Sequence, residues 1–123
     1  MERVSTTRQG FEEVADGVSL ADLPAGERAS MVYWRIEPGA TLPSHTHANE
    51  QIGFVLEGEL VAVVEGEEYP LRAGDAYMFH PHERHGAENR SDEVAVGIGV
   101  LAPPRDEPAW RRTASRSRVD RES

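Results

Sequence analysis

The chain has 123 residues, 22 of them acidic and 13 basic, with a formal charge of −9 and no cysteine. That length suits one domain with a modest core. The missing cysteines exclude a disulfide framework and a thiolate metal site, and the acidic balance disfavours nucleic acid as a partner.

The opening segment, "MERVSTTRQG", is polar and lacks the apolar run of a secretion signal. The longest apolar run, "VAVGIGVLA", is far too short to span a bilayer. A soluble, cytoplasmic protein without membrane contact is expected. From Ala109 the tail "AWRRTASRSRVDRES" sets five arginines against Asp120 and Glu122, a local +3 that leaves −12 on the remainder. Residues 109–123 are expected to be a disordered, solvated end, with contact to an acidic partner as the alternative.

In chain order, residues 1–10 read as loose, and "GFEEVADGVSLADL" contains the turn dipeptide Asp16-Gly17. "SMVYWRIEPGA" predicts a strand in which Val32, Trp34 and Ile36 alternate with Tyr33 and Arg35, closed by Pro38-Gly39. "QIGFVLEGELVAVVEGEEYPL" predicts two or three strands broken at Glu57-Gly58 and Glu65-Gly66. "AGDAYMFHP" and "EVAVGIGVLA" predict one more strand each, the second stopped by Pro103-Pro104. Short strands at this spacing, without a helical pattern, predict an all-β sandwich or barrel over residues 1–108.

The segment "HTHANEQ" carries the chemistry. Residues two apart on a strand share a face, which predicts that His45 and His47 point the same way, as two imidazoles on one ion must. Gln51 has the same parity, but four extended residues would carry it roughly 13 Å from His47. Ligands of one ion, bound at about 2.0–2.2 Å, lie only about 3 Å apart. The chain must therefore turn through Ala48-Asn49-Glu50, so that Gln51 opens the next strand beside the first. A further ligand can come from "HPHERHGAEN", which holds His80, His82 and His85. Glu50 is the carboxylate alternative to Gln51, although a regular strand would face it away from the histidines.

These residues carry a family resemblance. Gly39, five residues, His45-Thr-His47, three residues, Gln51, six residues and Gly58 resemble the first cupin motif, with glutamine at the usual glutamate. Pro70, Gly74, Pro81 and His85, followed after three residues by Asn89, resemble the second. The resemblance implies a double-stranded β-helix, the jelly-roll barrel, and a homodimer. It also implies one divalent ion (nickel, iron, manganese, zinc or copper) held by His45, His47, Gln51 and His85. His80 and His82 match no ligand position; His80 would line the barrel mouth and His82 a surface loop.

Within the family the chain is most similar to the pectin-degradation cupins, which open 4,5-unsaturated galacturonate to its keto form and also use glutamine. Their last strand ends in Asp-Val-Phe-Ser-Pro and then an arginine. Here "GVLAPPR" keeps Pro103 and Arg105 but puts Gly99 and Leu101 where that family has aspartate and phenylalanine.

A neutral ligand set leaves the full charge on a divalent ion, which favours Lewis-acid chemistry. The expected function is an isomerase or lyase acting on a small oxygenated acid such as an unsaturated uronate. A metal-dependent dioxygenase and a non-catalytic small-molecule binding module are the alternatives, the second favoured by Gly99. Arg105 would pair with a substrate carboxylate, or with Asp106 or Glu107 at the surface. Tyr77 and His80 are the acid/base candidates, Tyr77 otherwise being a core aromatic. Ile52, Phe54 and Leu56, of opposite parity to Gln51, form a stripe for sheet packing or a dimer contact.

Overall fold

The computed structural model describes residues 1–6 and 10–105. The arginine-rich tail, with Asp106 and Glu107, lies outside the described residues. The strand over Ser30–Ile36 alternates in burial as its sequence alternates in polarity, and glycine or proline punctuates most junctions. Ten strands result: β1 Glu12–Ala15, β2 Val18–Ala25, β3 Ser30–Ile36, β4 Thr41–His45, β5 Glu50–Glu57, β6 Glu59–Val64, β7 Glu67–Arg72, β8 Ala76–Phe79, β9 His85–Glu88 and β10 Ala95–Ala102. They form two antiparallel sheets, one in the order β1-β2-β3-β10-β5-β8 and the other β4-β9-β6-β7. No helix among the described residues is long and apolar enough to cross a membrane.

The inner faces pack as a sandwich around Val18, Trp34, Ile36, Val55, Leu60 and Ala95. Each fully buried aliphatic side chain of this kind stabilises the fold by roughly 1.5–3 kcal/mol. Register puts Gly97 of β10 between Trp34 and Val55, and Gly53 of β5 between Gly99 and Tyr77. A Cβ at Gly97 would fall 2.1 Å from the Trp34 ring, and one at Gly53 2.1 Å from the Tyr77 ring. The two glycines are therefore seats over which the two aromatic rings lie.

The β5–β6 turn needs its glycine for a different reason. Gly58 has φ 80°, and a Cβ there would meet the Val94 carbonyl at 2.5 Å.

Both ends of the motif-bearing stretch are fastened to each other. The Gly39 N–H donates to the Asn89 carbonyl at 2.8 Å, and the Asn89 N–H donates to the Ala40 carbonyl at 3.0 Å. The Asn89 side chain is fully buried. It donates to the Ile36 and Glu93 carbonyls and accepts from the Ser91 N–H and hydroxyl, so no polar atom of its amide is stranded.

Candidate metal centre

Three imidazoles meet at one end of the sandwich. β4 ends on His45, which is in register with His85 at the start of β9, and the two ring centroids lie 4.6 Å apart. The His47 ring is 4.8 Å from that of His85 and 5.6 Å from that of His45. One nitrogen from each of the three lies within 4.8 Å of the others.

Two local expectations do not hold. His45 and His47 do not share a strand face, because β4 stops at His45 and His47 stands in the turn beyond it. The turn, not the pleat, swings the second ring back, and the His82 N–H holds it by donating to the His47 carbonyl at 2.8 Å. Nor does Gln51 open a strand beside β4. β5 belongs to the other sheet, paired with β10 and β8, so Gln51 approaches from across the sandwich.

Hydrogen bonds fix the tautomer of every ring. Nδ1 donates to the Pro43 carbonyl from His45 (2.8 Å), to Asn49 from His47 (3.1 Å) and to Glu83 from His85 (2.9 Å). A carbonyl can only accept, so in the neutral ring each Nδ1 carries the hydrogen and each Nε2 keeps a lone pair. His85 is buried, its ring stacked on Phe79 at 4.2 Å, and its Nε2 has no hydrogen-bond partner. Burial pushes its pKa below the ordinary value, assisted by His45 and His47, while the bond to the Glu83 carbonyl acts the other way.

Gln51 brings a fourth acceptor. Its Oε1 lies 3.2 Å from His47 Nε2, so two lone pairs face each other. The nitrogen end of the amide donates to the Tyr77 hydroxyl oxygen, which also accepts from Trp34 Nε1 at 3.2 Å. Burial raises the Tyr77 pKa above its ordinary value and these two bonds offset the rise in part, so the phenol is protonated at neutral pH. Three imidazole nitrogens, one of them a buried orphan, with an opposed amide oxygen fit a first-row divalent ion. Glu50 is exposed and lies outside the cluster.

Beside this centre a cavity of about 400 Å³ opens between the sheets. Arg105 lines it; its N–H donates to Ser30 Oγ at 2.8 Å and its Nη2 to Asp22 Oδ1 at 2.9 Å. Asn49 links the two ends of the site. Its carbonyl accepts from His47, and its side-chain amide donates to the Pro103 and Pro104 carbonyls just before Arg105. The sequence offered Asn49 only as a turn residue and gave no sign of Asp22 or Ser30, whose contacts span 75 residues or more. Tyr77 lines the cavity; His80 and His82 are exposed and do not.

Residues 32–100 match the family model described as the cupin domain. The chain belongs to the cupin family. This cupin is similar to the pectin degradation protein KdgF of Dickeya dadantii (strain 3937), with 33% identity over 96 residues that cover 77% of this chain and 86% of the relative. It is also 37% identical to the H2HPP isomerase of Bacillus subtilis over 67 residues, which are 54% of this chain and 28% of that longer protein. Among solved structures, KdgF from Halomonas sp. matches with a TM-score of 0.79 at 25% identity, covering 86% of this chain and 96% of the other.

Proposed function

We propose that this cupin holds one divalent ion on His45, His47, His85 and Gln51 and works as an isomerase or lyase on a small oxygenated acid, unsaturated uronates being the first members to test. The observation that carries this reading is the convergence of three fixed Nε2 lone pairs with Gln51 Oε1. Nickel, iron, manganese, zinc and copper all suit such donors. Because the four donors are neutral, a bound ion keeps its full charge and polarises a carbonyl or hydroxyl oxygen.

The remaining steps fall to the chain's own groups. Arg105, held by Ser30 and Asp22, pairs with the carboxylate of the acid. The Tyr77 oxygen already accepts from Trp34 and Gln51, which leaves its hydroxyl hydrogen for an oxygen of the bound molecule. His80 is the weaker acid/base candidate, since it does not line the cavity. The exposed face of Ile52, Phe54, Leu56 and Met78 serves as a homodimer contact in the cytoplasm; a monomer in sedimentation at micromolar concentration would contradict the dimer. Turnover is tested by following unsaturated uronates with metal-loaded protein. Conversion that is lost in Gln51→Ala supports the reading, and an inert wild type across uronates and related keto acids removes it.

One observation favours a second reading, a binding module. Among the described residues no carboxylate lines the cavity, and Gly99 brings no side chain to it. Tight ligand binding without turnover would support that reading. A dioxygenase is the third, tested by oxygen uptake with iron, nickel or manganese; the neutral ligand set lacks the carboxylate of the two-histidine oxygenase pattern.

A further inference from the structure

The cavity has two chemically distinct ends. At one end the polar atoms are nearly all committed. The three Nδ1 atoms bind backbone carbonyls, and Trp34 Nε1 and the Gln51 amide nitrogen bind the Tyr77 oxygen. The Asn49 amide is taken by the Pro103 and Pro104 carbonyls. What remains for a ligand is the Nε2 and Oε1 centre, the Tyr77 hydrogen and those Arg105 guanidinium donors that Asp22 does not take.

The rest of the wall is hydrocarbon. Leu42, Leu60, Ala62, Leu71 and Ala87 line it from the β4-β9-β6-β7 sheet. From the facing sheet Val18, Val32, Ile36 and Leu101 line it, none with a polar side-chain atom. Among the described residues the lining holds no serine, threonine, lysine, aspartate or glutamate. A volume of about 400 Å³ is in the range that encloses a small organic molecule.

We infer that the molecule bound here is a small carboxylate with an apolar body, of the type of an aromatic or carbocyclic 2-oxo acid, and not a polyhydroxylated sugar acid. The inference narrows the proposed class of small oxygenated acids, setting its hydroxylated uronate members aside, and rests on that reading for the placement of the carboxylate and its neighbouring oxygen. Those two groups use the metal centre and Arg105. The ring or chain beyond them then meets only hydrocarbon. Each hydroxyl carried into that wall gives up water without gaining a partner, a loss of roughly 5- to 100-fold in affinity, whereas a methylene in its place gains from leaving water.

The test compares two six-membered-ring acids of similar size, benzoylformate and galacturonate, by calorimetric titration into the full chain loaded with nickel. Benzoylformate is expected to bind at least about tenfold tighter, since two or more stranded hydroxyls separate the pair. In Leu42→Asn, checked for folding by its melting curve, the gap should narrow. Galacturonate binding as tightly as benzoylformate, or no binding of either, would overturn the inference. Arg105→Met and nickel removal by chelator separate it from the wider reading. Weakening of benzoylformate in both supports the two together. A preference for benzoylformate that ignores both changes upholds the apolar body and sinks the metal-and-arginine placement.

Discussion

Gln51 Oε1 faces His47 Nε2 at 3.2 Å, and in the neutral imidazole both atoms are acceptors, since its one hydrogen is committed at Nδ1 to the Asn49 carbonyl. Two opposed lone pairs at that distance repel unless a positive charge lies between them. The Tyr77 oxygen behind the amide takes its N–H end and so keeps the oxygen aimed at the histidines. Replacing the amide by a carboxylate, Gln51→Glu, adds a negative charge to an otherwise neutral set. Divalent-ion affinity is expected to rise by about tenfold, or roughly 1.4 kcal/mol, while turnover of any substrate falls because the ion's charge is partly cancelled. Competition with a chromophoric chelator reads the first effect. Unchanged affinity would place Gln51 outside the ligand set.

Tyr77→Phe removes one oxygen and strands two donors, Trp34 Nε1 and the Gln51 amide. Unmet buried donors cost about 1–3 kcal/mol, so the midpoint of chemical denaturation should drop accordingly. Ion affinity should fall with it, because the amide loses what orients it. A variant as stable as the wild type would mean that water replaces the phenol at no cost.

The inward glycines are not equivalent. Gly53→Ala drives a methyl into the Tyr77 ring at 2.1 Å, a clash expected to cost about 1–3 kcal/mol or more. Gly99→Ala meets nothing closer than Gln51 Nε2 at 3.4 Å and Val32 at 3.6 Å, and should change stability by less than about 1 kcal/mol. Thermal denaturation of the two variants side by side decides this. Equal losses would contradict the role of Gly53 as a seat for the tyrosine.

His85 makes the ion-free protein acid-sensitive. Its folded-state pKa lies below the ordinary 6.5, so on acidification the unfolded chain takes up the proton first. The stability tied to this ring is complete above about pH 6.5 and declines as pH falls toward the lowered folded value. The fall should be smaller in His85→Phe, where no proton is taken up. Parallel stability–pH profiles for the two proteins would contradict the assignment.

Much of this was legible in the chain because it depends on neighbours in sequence. The alternation in "SMVYWRI" and "EVAVGIGVLA" marks β3 and β10, and the glycines at 58 and 66 mark the turns around β6. β9 was not legible. "HGAE" has no alternation of its own, and it becomes a strand because β4 and β6 flank it. The identities of His45, His47 and His85 could be read, but not the route by which they meet. Parity arguments assume the ladder continues, and it ends at His45; which sheet receives β5 depends on pairing with β10, more than 40 residues away. The Asp22–Arg105 and Asn49–Pro103 contacts were beyond reach for the same reason, since no local pattern announces a partner so distant.

The central claim is that His45, His47, His85 and Gln51 hold one divalent ion. Elemental analysis of the purified full chain, beside His47→Ala and Gln51→Ala, tests it most directly. Close to one ion per chain is expected in the wild type, little in His47→Ala, and in Gln51→Ala a site weakened by at least the roughly 10- to 100-fold that losing even an outer-shell partner costs. A wild type that holds no ion after reconstitution, or variants that retain it in full, would contradict the claim.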